Sequence, residues 1–107
     1  MSAPGGFGEM GNLLRQAQQM QRELDRAKEE LEKTLVTGTA GGGAVRVDAT
    51  GDGMVVRVTI RPDAAGDASM LEDLVLAATR DALAKANQAR AERMSRVTGG
   101  LNLPGIF

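Results

Sequence analysis

The first pattern along the chain is an apolar seam that begins at Glu9 and continues to about Leu35. Small or apolar residues recur there three and four positions apart, namely Met10, Leu13, Ala17, Met20, Leu24, Ala27, Leu31 and Thr34. This is the a/d spacing of a heptad, and it is narrower than the apolar face of an ordinary core helix. The pattern predicts a long first helix that packs against a helical partner.

From about Leu35 to Ile60 the period changes to strict alternation, which is typical of β-strands. The apolar positions of the second and third predicted strands are Val45, Val47, Ala49, Val56, Val58 and Ile60. The positions that alternate with them are Arg46, Asp48, Thr50, Arg57 and Thr59. Gly51-Asp52-Gly53 predicts a hairpin turn between these strands. A short first strand is predicted at Val36 and Thr37, ending at Gly38, so that the three strands form an antiparallel meander.

A second long helix is predicted to follow, because Ser69 and Glu72 have the spacing of a capping box. It continues to about Val97, and Gly99-Gly100 ends it. Its predicted core face is Leu71, Leu74, Val75, Ala78, Ala82, Ala86 and Ala89. A second stripe consists of Leu76, Leu83, Met94 and Val97, which indicates two packing partners.

These elements predict an α+β fold with one domain over residues 9–98, between a flexible tail at 1–8 and a second tail at 99–107. Each helix has roughly 26 residues and a length of ~40 Å. A compact domain of this size has a radius of gyration of only ~13 Å, so the helix ends must project or meet a second copy. We therefore expect a homodimer with projecting helices. The expected interface residues are Leu13, Ala17, Met20, Leu24, Leu31, Leu76 and Leu83.

Composition excludes several classes of function. The chain of 107 residues has no Cys and no His, so the usual zinc ligand sets and the Cys–His and Ser–His nucleophile systems cannot form. We expect no enzyme, no metal and no cofactor. The sequence has no apolar run long enough to predict a membrane segment. It also lacks the basic start and following hydrophobic stretch that are typical of a signal peptide. We therefore expect a cytoplasmic protein. The net charge is −1, so contact with a polyanion requires local segregation of charge.

Such segregation is found on both predicted helices. The candidate phosphate contacts on the first helix are Arg15, Arg22, Arg26 and Lys28, and those on the second are Arg80, Lys85, Arg90, Arg93 and Arg96. Between Arg80 and Arg96 only Asp81 and Glu92 oppose them, which leaves that segment with a net charge of +3. Matching to the helix dipole accounts for the last turn of the second helix alone. For any single cation of the first helix, a solvated face is the better explanation. The core-facing residues of the second helix change from Leu and Val to Ala in the part that carries these cations. This change is expected if that end of the helix leaves the core to contact phosphates.

Two further patterns favour ordinary explanations. Gly41-Gly42-Gly43 joins two strands and is not followed by a helix or a Lys-Ser/Thr pair, so it predicts a turn and not a phosphate loop. Asp48, Asp52 and Asp63 lack the spacing of a calcium loop, and surface solubility explains them better.

Five segments together resemble the YbaB/EbfC family. They are Gly11-Asn12-Leu13-Leu14-Arg15-Gln16-Ala17-Gln18-Gln19-Met20-Gln21, Val36-Thr37-Gly38, Ile60-Arg61-Pro62-Asp63, Met70-Leu71-Glu72-Asp73-Leu74-Val75 and Gly100-Leu101-Asn102-Leu103-Pro104-Gly105. The resemblance implies a homodimer that binds duplex DNA in the nucleoid, through cations near the ends of the long helices. It also implies influence on transcription and proximity to recombination or repair proteins. An adaptor or chaperone-like scaffold is the alternative, and a gel-shift titration with duplex DNA separates the two.

Overall fold

A computed structural model describes residues 5–99 of the chain, with side chains from residue 8. Its elements in order are α1 (Gly5–Lys33), β1 (Leu35–Ala40), β2 (Val45–Thr50), β3 (Val55–Ile60), a 3-10 turn (Pro62–Ala64) and α2 (Ala68–Gly99). The three strands form one antiparallel sheet in the order β1-β2-β3. The predicted α+β meander between two long helices is confirmed. The predicted tails at residues 1–4 and 100–107 lie outside the described residues.

Helix α1 begins at Gly5, four residues before the start that the apolar seam predicted at Glu9. The other end of α1 is held by the β2–β3 hairpin. The Gly51 N–H donates to the carbonyl oxygens of Leu31 and Thr34, both at 2.9 Å. A Cβ on Gly51 would lie 3.0 Å from the Leu31 carbonyl oxygen, so a side chain there would push the end of α1 away by a few tenths of an ångström. The hairpin thereby fixes the direction in which α1 leaves the sheet.

Strand β1 continues through Gly38, where the sequence predicted its end. The reason is the position of α2, which lies directly on β1. A Cβ on Gly38 would lie 2.2 Å from the Ala82 nitrogen and 2.3 Å from the Ala78 carbonyl oxygen. A glycine is therefore needed inside the strand, for backbone contact and not for a turn. The Gly41-Gly42-Gly43 segment forms the turn from β1 to β2, as predicted.

Helix α2 covers only part of the sheet. Its Ala78 and Ala82 form a fully buried core with Val45, Val47 and Ala49 of β2. On β3, Val58 lies opposite Val47 and Ile60 opposite Val45, and a register shift between Asp48 and Ala49 places Val55 opposite Ala49. Every residue of β3 is nevertheless exposed. Within residues 5–99, one of the three strands on the apolar side of the sheet is therefore left exposed.

The N-terminus of α2 is capped by Asp67, and the predicted capping box is wrong. The Asp67 side chain accepts a hydrogen bond from the Met70 N–H at 3.1 Å, and the helix begins at Ala68. Ser69 lies inside the first turn, past the position where a hydroxyl caps a helix. Both residues are good caps in isolation, and the path of the chain from the 3-10 turn selects Asp67.

The two helices meet beyond the sheet. Leu74 lies against Gly41 and Ala82 against Gly38, so α2 runs along β1 toward the point where α1 ends. Farther on, Arg93 of α2 contacts Glu30 of α1. Since α1 runs into the sheet and α2 runs away from it, they pack antiparallel, with Ala27, Leu31 and Val97 buried.

The first part of α1 extends past this contact. Residues 12–19 are all exposed, and residues 8–19 are called the α1 arm below. The chain measures 81 × 24 × 16 Å, which is far longer than a compact domain of its size.

Candidate nucleic-acid interface

Three of the predicted cations share one face of α1. Arg15, Arg22 and Arg26 are seven and four residues apart, which places them along one side of a helix, opposite the seam of Leu13 and Ala17. All three are exposed. Among the described residues, Arg26 pairs with Glu23 at 3.0 Å, whereas no carboxylate lies within salt-bridge distance of Arg15 or Arg22. These three residues are called the arginine stripe.

Lys28 and the five cations of α2 do not join this stripe. Lys28 is exposed on a different side of α1. On α2, Arg80 lies two residues before the buried Ala82 and therefore on the opposite, solvent-facing side. Arg90 is hydrogen-bonded to Asn87 of its own helix. Ala82 and Ala86 are buried, so the expectation that the segment from Arg80 leaves the core is wrong.

Arg93 is used within the protomer. Its Nε donates to Glu30 Oε2 at 2.6 Å, and only 12% of its side chain is exposed. The hydrogen bond from Arg93 holds the pKa of Glu30 below its ordinary value, and the same bond raises the pKa of Arg93. The pair sits in a cleft of 230 Å³, which Arg96 also lines. Arg93 therefore joins the two helices, and no local pattern indicates this contact because Glu30 is 63 residues away.

Lys85 also makes contacts within the protomer, at the outer edge of β1. Its Nζ donates to the Thr37 carbonyl oxygen at 3.0 Å and to Asp81 at 3.2 Å. Asp81 accepts from the Thr39 N–H at 3.1 Å, and this bond, followed by the one from Lys85, lowers the pKa of Asp81. The two side chains thus satisfy backbone groups of β1 that have no strand partner.

The face of the sheet turned away from α2 carries polar residues that we did not predict as a site. Asp48 is only 9% exposed and accepts hydrogen bonds from Thr37 at 2.8 Å and Arg46 at 3.2 Å. The Thr37 bond is the main reason that the pKa of Asp48 is lowered. Surface solubility is therefore the wrong explanation for Asp48. Arg57, opposite Asp48 on β3, and Arg61 add two exposed cations, and the alternation of the strands was the signal that placed them there.

The predicted interface residues separate into three groups. Leu31 is 4% exposed and packs within the protomer, so its prediction as an interface residue is wrong. Met20, Leu24 and Leu83 are half-buried. Leu13, Ala17 and Leu76 are exposed, but on two separate surfaces, the α1 arm and α2.

One flank of α2, with exposed Leu76 and half-buried Leu71 and Val75, lies on the same side of the sheet as the uncovered side chains of β3. Leu71, Val75 and Leu76 line a mostly apolar groove of 580 Å³ with Ala68, Glu72 and Thr79. By helical position Leu76 is opposite Asp81 and Lys85, which contact β1, so Leu76 lies on the β3 side of α2. Val58, Ile60, Leu71, Val75 and Leu76 are called the β3–α2 surface.

Residues 5–99 hold neither a candidate metal cluster nor a candidate membrane helix. No group of three or more Asp or Glu residues could hold a metal ion there. None of the helices in that range is long and apolar enough to cross a membrane.

The fold and the site define a small α+β protein whose exposed arginines project on a helix and whose apolar strand is left uncovered. The chain belongs to the YbaB/EbfC DNA-binding family, whose sequence model matches residues 7–101. It is 46% identical to a nucleoid-associated protein of Acetivibrio thermocellus over 107 residues, with 97% of this chain and 95% of the relative covered. A nucleoid-associated protein of Thermoanaerobacter pseudethanolicus is 47% identical over 106 residues, with the same coverage. The fold matches a crystal structure of an uncharacterized protein of Helicobacter pylori with a TM-score of 0.74, at 25% identity over 87% of this chain and 97% of that one.

Proposed function

We propose that this protein is nucleoid-associated and binds duplex DNA as a homodimer, mainly through phosphate contacts and without catalysis. The observation that carries the proposal is the arginine stripe on the projecting α1 arm and the adjoining part of α1. Family membership and the names of the relatives support DNA as the ligand. Effects on nucleoid organisation, transcription or recombination and repair would follow from coating the duplex.

The stripe suits a phosphate backbone. Arg15 and Arg22 are seven residues apart, or about 10 Å along the helix, and Arg26 lies about 6 Å farther. A guanidinium binds phosphate with two parallel hydrogen bonds, and cations presented together gain affinity by counterion release. Arg15 and Arg22 need not break an ion pair among the described residues first, whereas Arg93 must release Glu30. We therefore assign the main contacts to the stripe, with exposed Lys28, Arg80, Arg90 and Arg96 as secondary contacts.

The test compares two double charge reversals that change net charge equally. Arg15→Glu with Arg22→Glu should abolish binding to duplex DNA in a gel-shift titration. Arg57→Glu with Arg61→Glu, on the outer face of the sheet, should leave affinity within a few-fold of the native protein. For the native protein, log affinity against log salt should slope by roughly −0.9 per phosphate neutralised. Equal loss in both variants would mean that net charge alone matters, and the stripe would be rejected.

The same experiment decides between DNA binding and the adaptor alternative. If native protein shows no affinity for duplex DNA at low salt, the DNA proposal fails and the adaptor becomes the better reading. Unrelated sequences should bind with similar affinity, because phosphate contacts carry no base information.

We assign the homodimer contact to the β3–α2 surface, and not to the seam of the α1 arm. The outer edge of β1 is closed by Asp81 and Lys85, whereas β3 forms the other edge of the sheet. Arg61 N–H bonds to Ala44, so by alternation the backbone groups of Ile60 and Val58 point outward from β3. An open edge beside exposed apolar side chains favours association with a second copy.

A matched pair of variants tests the location of the dimer. Val58→Asp with Leu76→Asp should convert the dimer to an 11.2 kDa monomer in sedimentation equilibrium. Leu14→Asp with Leu35→Asp replaces two other exposed leucines, which are 61% and 64% exposed, and should leave the dimer intact. A dimer that survives the first pair and is lost in the second would overturn this assignment.

A further inference from the structure

The seam of the α1 arm has no partner among residues 5–99, and the DNA and dimer contacts proposed above do not use it. Met10 and Leu13 are each 64% exposed, and Ala17 is exposed as well. Closer to the sheet the same seam is covered, because Ala27 and Leu31 pack within the protomer. The arm therefore continues the a/d pattern of a two-helix contact past the point where the protomer covers it.

The positions beside the open seam suit an identical helix as its partner. Between Met10 and Gln21 these flanking positions are Leu14, Gln16 and Gln21, and none of them carries a charge. In coiled coils, charges at the flanking positions set which partners pair and which repel one another. Two copies of this arm can therefore approach seam to seam without repulsion between like charges. The small side chain of Ala17 lets the two helices come close.

The arginine stripe lies on the opposite side of the arm. Arg15 and Arg22 occupy the heptad position that is farthest from the seam, about 180° around the helix. When two arms pack seam to seam, their stripes therefore face outward in opposite directions. A helix with its side chains is about 10–12 Å in diameter, so the two stripes lie roughly 20 Å apart. Such a pair of arms presents two cationic faces, and each face can contact a separate duplex.

We propose that the α1 arms of two protein copies pack seam to seam and thereby bridge two DNA duplexes, an inference that rests on the proposed binding of DNA by the arginine stripe. The seam from Met10 to Met20 is about 15 Å long. A contact between two helices over that length falls well below the ~1,200 Å² of a stable interface. In free solution the β3–α2 surface therefore forms the dimer. Copies bound along neighbouring duplexes are held at high local concentration, which favours the short contact there.

Capture of one duplex by another tests the bridge. Bead-bound duplex DNA should retain a fluorescent duplex of unrelated sequence when the native full-length protein is added. Met10→Gln with Leu13→Gln should lower this capture by about tenfold or more, because burial of one such side chain is worth that factor in affinity. The matched control is Met54→Gln with Leu35→Gln, which replaces residues 63% and 64% exposed outside the arm and should keep native capture.

A gel-shift titration of the same proteins on a single duplex separates bridging from DNA binding. The variant of Met10 and Leu13 keeps every arginine, so its affinity should stay within a few-fold of the native value. A normal gel shift without capture by the native protein would reject the bridge alone, whereas absence of any gel shift would reject the proposed function as well. Undiminished capture by this variant would show that the seam is not the joining surface. That result is expected if the seam is covered by its own chain, or if the two arms of one dimer bind separate duplexes.

Cross-linking supplies a second readout, because the native chain has no cysteine. Ala17→Cys places one thiol in the seam, and a short bis-maleimide should join two chains when DNA is present and not when it is absent. The control is Gln18→Cys, whose side chain points away from the seam, and it should give little product. Equal product at the two positions would overturn the seam contact. Product from Ala17→Cys that forms equally without DNA would place the contact inside the free dimer and overturn the bridge between copies.

Discussion

The contact between α2 and β1 makes Gly38→Ala the most informative single change in the fold. The new Cβ would lie 2.2 Å from the Ala82 nitrogen and 2.3 Å from the Ala78 carbonyl oxygen. Both are backbone atoms of a helix, so no side-chain rotation relieves the overlap. To restore a normal van der Waals distance, α2 would have to move about 1 Å away from the sheet. A gap of that size removes a quarter to a half of the dispersion energy of each contact between α2 and the sheet.

The expected magnitude follows from two opposing effects. Overpacking of a well-packed core costs about 1–3 kcal/mol, and a backbone overlap on this scale belongs at the upper end. Alanine restricts the unfolded chain and offsets about 0.4–1 kcal/mol of that cost. The net loss in the free energy of unfolding should be roughly 2–3 kcal/mol, or a fall in melting temperature of about 10–20 °C.

Urea denaturation at fixed protein concentration measures this loss. Gly66→Ala is the matched control, because nothing lies within 4 Å of a Cβ at Gly66, and it should change stability little. Combining Gly38→Ala with Ala82→Gly should not restore stability, since the overlap is with backbone atoms. A Gly38→Ala protein as stable as the native one, or full rescue by Ala82→Gly, would refute the backbone contact.

The cap, the interhelical pair and metal independence give three more tests. Asp67→Ala should lower the free energy of unfolding by about 1 kcal/mol in urea denaturation, whereas Ser69→Ala should not. A larger loss for Ser69→Ala than for Asp67→Ala would show that Ser69 caps the helix. The pKa of Glu30 is lowered from 4.5, so its pairing stabilises the fold above pH 4.5 and this contribution is lost as pH falls through the folded value. The stability difference between native protein and Arg93→Gln should therefore shrink on acidification, and a constant difference contradicts the pair. Chelation with EDTA should leave the melting curve unchanged; a lower midpoint would reveal a metal site.

The proposed DNA surface shows how tertiary contacts change the meaning of a charge pattern. The densest run of cations in the sequence lies on α2, between Arg80 and Arg96. The fold directs them to several sides of the helix and uses Lys85 and Arg93 for internal contacts. The sparser cations of α1 share one exposed face because their spacing of seven and four matches the helical repeat. The number of cations in a segment is thus a weaker guide to a phosphate-binding surface than whether those cations share one exposed face.

The sequence by itself determined the order and type of the elements. The change from a three-and-four spacing to strict alternation and back is a local property, set by the 3.6-residue and two-residue repeats of helix and strand. It predicted two long helices around a three-stranded meander, the buried side of β2, and the alanine face of α2. Local periodicity reports which side of an element is apolar, whatever that side later contacts.

Only the tertiary structure decided which apolar and charged side chains are available. Leu31 and Val58 are both apolar positions in regular patterns, yet α2 and the hairpin bury the first, while α2 leaves the second uncovered. Gly38 reads as a strand end in sequence, because nothing local shows that a helix backbone will lie on it. Arg93 finds Glu30 across 63 residues. These outcomes depend on how α2 crosses the sheet, and that crossing is set by contacts between segments distant in sequence, which no local repeat encodes.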